Sequence, residues 1–97
     1  MSNRKGVKDT IFVILARWRK KPTRELVEET TKLIHQATKE GAKILGMYWT
    51  FGRYDSVTIA EGPDVKAAMK ALLRFGDFVS TETMVALPAE EASKLVE

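Results

Sequence analysis

The sequence predicts an α+β domain whose elements run strand, helix, strand, strand, helix, strand and form a four-stranded antiparallel sheet with both helices on one face. Three observations carry this expectation. Residues 10–18 are apolar on both alternating sets, two stretches of helical period are each closed by a glycine, and a short glycine turn joins two further β-rich segments.

The first strand is expected over 10–18. Phe12, Ile14 and Ala16 form one set and Ile11, Val13 and Leu15 the other, the pattern of a central strand covered on both faces. Pro22-Thr23 opens the first helix, with Thr23 as N-cap and Glu25 near the positive end of the helix dipole. Leu26, Thr30, Leu33, Ile34 and Ala37 recur at helical spacing, and Gly41 supplies the stop. A second strand is expected over 43–51 and a third over 55–61, joined tightly by Gly52-Arg53-Tyr54. Pro63 and Asp64 mark the next helix start; its expected buried stripe is Val65, Ala68, Met69, Leu72 and Phe75, and Gly76 ends it. A fourth strand over 78–87 and a short terminal helix over 89–96, after Pro88, complete the domain. It occupies residues 10–97, behind a flexible leader of residues 1–9.

This order is the split βαβ, or ferredoxin-like βαββαβ, plan. Right-handed crossovers put both helices on one side and leave the other face of the sheet open. Four strands about 4.8 Å apart and about 20 Å long present roughly 400 Å² per subunit. Part of that face is apolar, and a patch of this size marks an interface or a ligand site. Sheet-to-sheet pairing of two copies buries it symmetrically, so a homodimer or higher homo-oligomer is expected. The alternative is a terminal helix folded back over its own sheet.

Composition removes several function classes. The chain has 97 residues, 44% hydrophobic and 30% charged, enough for one ordinary globular core. It has no cysteine, which excludes disulfides, thiolate metal sites and a Cys nucleophile, and suits a reducing compartment. The apolar run 11–16 is shorter than a signal-peptide core, is followed at once by basic residues and lacks a cleavage site. A cytoplasmic location without membrane association is therefore expected. The net charge of +3 gathers in Arg4, Lys5 and Lys8 and in Arg17, Arg19, Lys20 and Lys21. Two short clusters are not the continuous basic stripe that nucleic-acid binding requires.

One segment carries a resemblance. Tyr48-Trp49-Thr50-Phe51-Gly52-Arg53-Tyr54-Asp55, with Glu61-Gly62-Pro63-Asp64 and Thr81-Glu82-Thr83 at similar positions, resembles the GYD domain over about residues 10–90. The family takes its name from such a Gly-x-Tyr-Asp hairpin and is similar to dimeric α+β barrel proteins. The resemblance implies that fold and a barrel-like dimer, and brings no catalytic residues. In physical terms Gly52 permits the backbone angles of a tight turn, and Asp55 can accept nearby backbone N–H groups. Tyr54 adds an aromatic body with a polar tip, and Arg53 a fork of donors for carboxylate or phosphate.

Other constellations are poor. His35 is the only histidine and stands on a helix beside Lys32 and Lys39; no metal-spaced cluster, Walker loop or dinucleotide glycine pattern occurs, so neither metal nor cofactor is expected. Placing Ile11, Val13, Leu15, Val57 and Ile59 against the helices puts Phe12, Ile14, Trp18, Ser56 and Thr58 on the open face. Tyr48 and Thr50 can join them, with Glu82 as a neighbour. The candidate ligand residues are Tyr48, Thr50, Arg53, Tyr54, Asp55 and Thr58, for a small molecule at the sheet face or subunit interface. Three functions stay open: a non-catalytic homo-oligomeric module binding a small metabolite, a cofactor-independent enzyme on a small organic substrate, and a binder of anionic partners through the Arg17–Lys21 cluster.

Overall fold

A computed structural model describes residues 9–96. Nearly all of the expected leader, residues 1–8, lies outside the described residues. The elements are β1 (Thr10–Trp18), α1 (Arg24–Lys39), β2 (Lys43–Trp49), β3 (Ser56–Gly62), α2 (Val65–Leu73), β4 (Val79–Ala86) and α3 (Ala89–Ser93), which runs into a 3-10 turn at Lys94–Val96. The sheet order is β2-β3-β1-β4 with every pairing antiparallel. This is the ferredoxin-like plan, and β1 is central as its two apolar sets require.

Local chemistry sets the helix ends. The Thr23 hydroxyl accepts from the Leu26 amide at 3.1 Å, and the Asp64 carboxylate accepts from the Ala67 amide at 2.8 Å, each satisfying one free donor of a first turn. Gly41, with φ of 111°, follows α1. β2 stops at Trp49, two residues short of the expected 51: the Thr50 amide still bonds Asp55, its partner in the next rung, but Asp55 gives its own amide to Ala16 and does not return the bond.

The two faces are the reverse of the expectation. Phe12, Ile14, Trp18, Ser56 and Thr58 lie under the helices, lining a space shared with Ile34, Leu72 and Phe75. Ile11, Val13, Leu15, Val57 and Ile59 alternate with them and so take the open face. Both sets of β1 are apolar, and alternation alone does not say which set meets the helices. A bulge between Ile44 and Gly46 then shifts the phase of β2, so Ile44, Met47 and Trp49 share the helix side while Tyr48 stands on the open one.

α2 is also rotated from its expected stripe. Ala67, Ala68, Ala71 and Leu72 look onto the sheet, whereas Val65, Met69 and Leu73 form an exposed ridge. Both stripes have helical spacing, and the small residues meet the sheet. The best-buried side chains are Phe12 (3% exposed), Ala60 (7%) and Ala16 (8%). The terminal helix does not cover the open face: Leu95 and Val96 are 76% and 86% exposed.

The two helices are clasped by Glu40 and Arg74, the residues that follow α1 and α2. Arg74 pairs with both carboxylate oxygens at 2.9 and 3.0 Å, and Gln36 donates to Glu40 at 2.8 Å. Hydrogen bonds from Arg74, then from Gln36, lower the Glu40 pKa to about 2. A carboxylate lowered in the folded state stabilises fully above its unfolded value of about 4.5, and the contribution is lost as pH falls towards 2. Glu40→Gln is therefore expected to reduce the acid sensitivity of folding in that window, measured by denaturant midpoint against pH. An unchanged pH profile would show that the clasp does not contribute in solution.

Candidate functional site

The β1–β3 ladder ends at Ala16 and Ser56, and the turn between β2 and β3 closes over that end. The Asp55 amide donates to the Ala16 carbonyl at 2.8 Å, and the Asp55 carboxylate accepts from the Trp18 amide at 2.8 Å. Asp55 thus replaces the ladder partner that Trp18 would lack. The Thr50 amide donates to the Asp55 carbonyl at 2.8 Å and its hydroxyl to the Tyr54 carbonyl at 2.7 Å, which closes the loop upon itself. Gly52 has φ of 111°, and a Cβ there would meet nothing within 4 Å. The turn needs glycine for its backbone angle and not for space.

Side chains then run from the turn across the sheet end. The Tyr54 hydroxyl donates to the Glu82 carboxylate on β4. The Arg17 Nε donates to the Arg53 carbonyl at 2.7 Å, and the Arg17 and Arg53 guanidinium groups lie 5.8 and 5.9 Å from the Tyr54 ring centre. Hydrogen bonding to Glu82, followed by desolvation and the Glu82 charge, raises the Tyr54 pKa against the opposing pull of Arg53 and Arg17. Tyr54 is therefore held protonated at neutral pH, able to donate. Tyr48 lies on the same face over Gly46, where a Cβ would come within 3.1 Å of its ring. Phe51, at the tip, is fully exposed.

Five of the six candidate residues, Tyr48, Thr50, Arg53, Tyr54 and Asp55, thus gather at one end of the sheet. Thr58 does not join them, because it lies under the helices. Glu82, a neighbour of uncertain position from sequence, is drawn in because the β1–β4 register sets it opposite Leu15 on the open face. Arg17 was legible only as part of a charge cluster. That cluster is largely engaged within the fold: Arg19 Nε donates to the Val79 carbonyl at 3.2 Å, and the Lys20 ammonium stands 5.9 Å from the Phe78 ring centre. Among the described residues no group of acidic, histidine or cysteine side chains can hold a metal ion, and no helix is long and apolar enough to cross a membrane.

The architecture and the turn define a class, a ferredoxin-like domain whose open sheet face is closed at one end by a Gly-x-Tyr-Asp turn. The chain belongs to the GYD domain family, whose model matches residues 12–96. Two solved structures are similar in fold. The transcriptional regulator NMB0573 of Neisseria meningitidis, in an L-Met complex, superposes with a TM-score of 0.56 and 14% identity, over 90% of this chain and 56% of that one. An AsnC family transcriptional regulator from Agrobacterium tumefaciens gives 0.58 and 13%, over the same shares. At such identity the likeness shows the fold, and this chain spans just over half the length of each regulator. No curated protein matches the sequence.

Two outcomes are expected from the turn. Gly52→Val should lower stability by about 1–3 kcal/mol in thermal denaturation, since a β-branched residue is strained at that φ; an unchanged midpoint would mean a different turn in solution. In a Tyr48→Phe variant Tyr54 is the single tyrosine, and ultraviolet titration should place its ionisation above 10.0. The stability linked to a raised value is complete below 10.0 and lost as pH rises through the folded value, so Tyr54→Phe should lessen the alkaline loss.

Proposed function

We propose that this protein is a homo-oligomeric binding module, built on a dimer that packs two open sheet faces together and holds a small organic molecule between them. The carrying observation is the open face itself. Ile11, Val13, Leu15, Val57 and Ile59 lie there half-covered, joined by the exposed Met84, and the terminal helix leaves them open. Two sheets alone would bury roughly 800 Å² in total, below the 1,200–2,000 Å² of a stable interface. Tyr48, 59% exposed on the same face, would add apolar surface to that contact.

Within such a dimer Tyr48, Arg53 and Tyr54 would border the ligand, while Thr50 and Asp55 hold the turn that carries them. Arg53 suits a carboxylate and the tyrosine rings an apolar body. That a regulator of this fold is described as an L-Met complex supports a small metabolite as the kind of molecule bound. A cofactor-independent enzyme is the second reading, favoured by the Tyr54–Glu82 pair on the open face. There Tyr54 would act as a proton donor, since its raised pKa opposes a role as base at neutral pH.

Light scattering at micromolar concentration should give at least twice the subunit mass of 10.9 kDa. Val13→Glu, which puts a charge at the centre of the open face, should give a folded monomer with unchanged circular dichroism. A wild-type monomer at every concentration would overturn the dimer.

A further inference from the structure

The open face is not the only place with room for a ligand. Between the helices and the opposite face of the sheet lies a space of about 380 Å³, within the range of small-molecule pockets. The space is partly open to solvent, with Trp49 and Thr81 exposed at its edge, and it is larger than the gaps left in a close-packed core. The sequence explains how it arises. α2 presents Ala67, Ala68 and Ala71 to a floor that contains Ala16, Ala60 and Ser56, so small residues face small residues. Larger side chains, Phe12, Ile34, Leu72 and Phe75, stand around them, and the Glu40–Arg74 clasp ties the two helices together above.

The floor has a defined polar pattern. Ser56 and Thr81 flank Ala16 in one row across β3, β1 and β4, and Thr58 stands opposite Ile14 in the next. Among the described residues these three hydroxyls make no side-chain hydrogen bond, whereas the Thr30 and Thr31 hydroxyls on α1 already donate to the Val27 carbonyl. Trp18 and Trp49 bound the same end, edge to face with ring centres 5.8 Å apart. Charge does not dominate the border. Glu40 is bound by Arg74, and Lys70 and Glu61 are of opposite sign.

We propose that this helix–sheet space is a second binding site, for a small, uncharged aromatic molecule whose hydroxyl or similar polar group bonds to the Thr58 and Ser56 hydroxyls. The ring lies in the slot between the alanine face of α2 and the sheet, with the tryptophans at its polar end. This site is separate from the one between subunits, since the strand alternation puts it on the other side of β1 and β3.

Phenol and toluene, one with a hydroxyl and one without, test it, and the emission of Trp18 and Trp49, both at the site and the protein's two tryptophans, reports binding. Both probes should shift the emission saturably. Thr58→Val keeps the side-chain shape and removes the hydroxyl; it should weaken phenol by about 3–10-fold and change toluene by less than about 2-fold. Ala16→Phe should fill the space and abolish both, and where that variant misfolds the Thr58→Val comparison decides alone. Val13→Glu, on the open face, should leave both affinities intact while disrupting the dimer. The proposal is overturned if neither probe saturates, if Thr58→Val leaves phenol unchanged, or if Val13→Glu abolishes binding.

Discussion

β1 lies between β3 and β4 and offers apolar side chains to both faces of the sheet, so water has to be kept from both. Burying an aliphatic side chain fully is worth about 1.5–3 kcal/mol, and Ile11, Val13 and Leu15 realise only part of it while half-covered. The helices shelter the Phe12 side. Nothing within the described residues shelters the other, so that side stays half-covered in the single chain. A strand paired along both edges is screened from solvent except through its faces.

The Gly-x-Tyr-Asp turn serves this strand before it serves any ligand. Asp55 completes the hydrogen bonding of Trp18, and Thr50 closes the loop on Asp55 and Tyr54. Those polar groups are spent on the backbone. The side chains not so engaged at this end of the sheet are Tyr48 on β2, Arg53 and, at the tip, Phe51. Tyr54 is intermediate, since its hydroxyl reaches Glu82 and ties the turn to the far strand while its ring still faces outward between two guanidinium groups. A register slip of one residue in β4 would carry Glu82 to the other side of the sheet and break that tie.

The two sides of the sheet differ in how space is left. On the open side the uncovered residues are large and stay half-covered. On the helix side they are small, and alanines of α2 opposite Ala16 and Ala60 leave room that the surrounding aromatic and branched side chains do not fill. The hydroxyls of Ser56 and Thr58 lie on this side, along the lining of that space.

Element order, strand β1, both helix starts and the turn at Gly52 were legible in the sequence because each depends on local chemistry. A Thr or Asp oxygen satisfies a free amide, and a glycine takes a φ other residues resist. Which set of β1 met the helices was not legible, since Phe12-Ile14-Ala16 and Ile11-Val13-Leu15 are equally apolar. The phase of β2 beyond Ile44 depended on a bulge, and the rotation of α2 on a choice between an alanine stripe and a Val65-Met69-Leu73 ridge of the same period. Alternation and helical period sort residues into sets that share a side, and this the sequence determined by itself. The path of the chain, through its crossovers, its bulge and the docking of its helices, assigns each set to a side, and only the tertiary structure decided that.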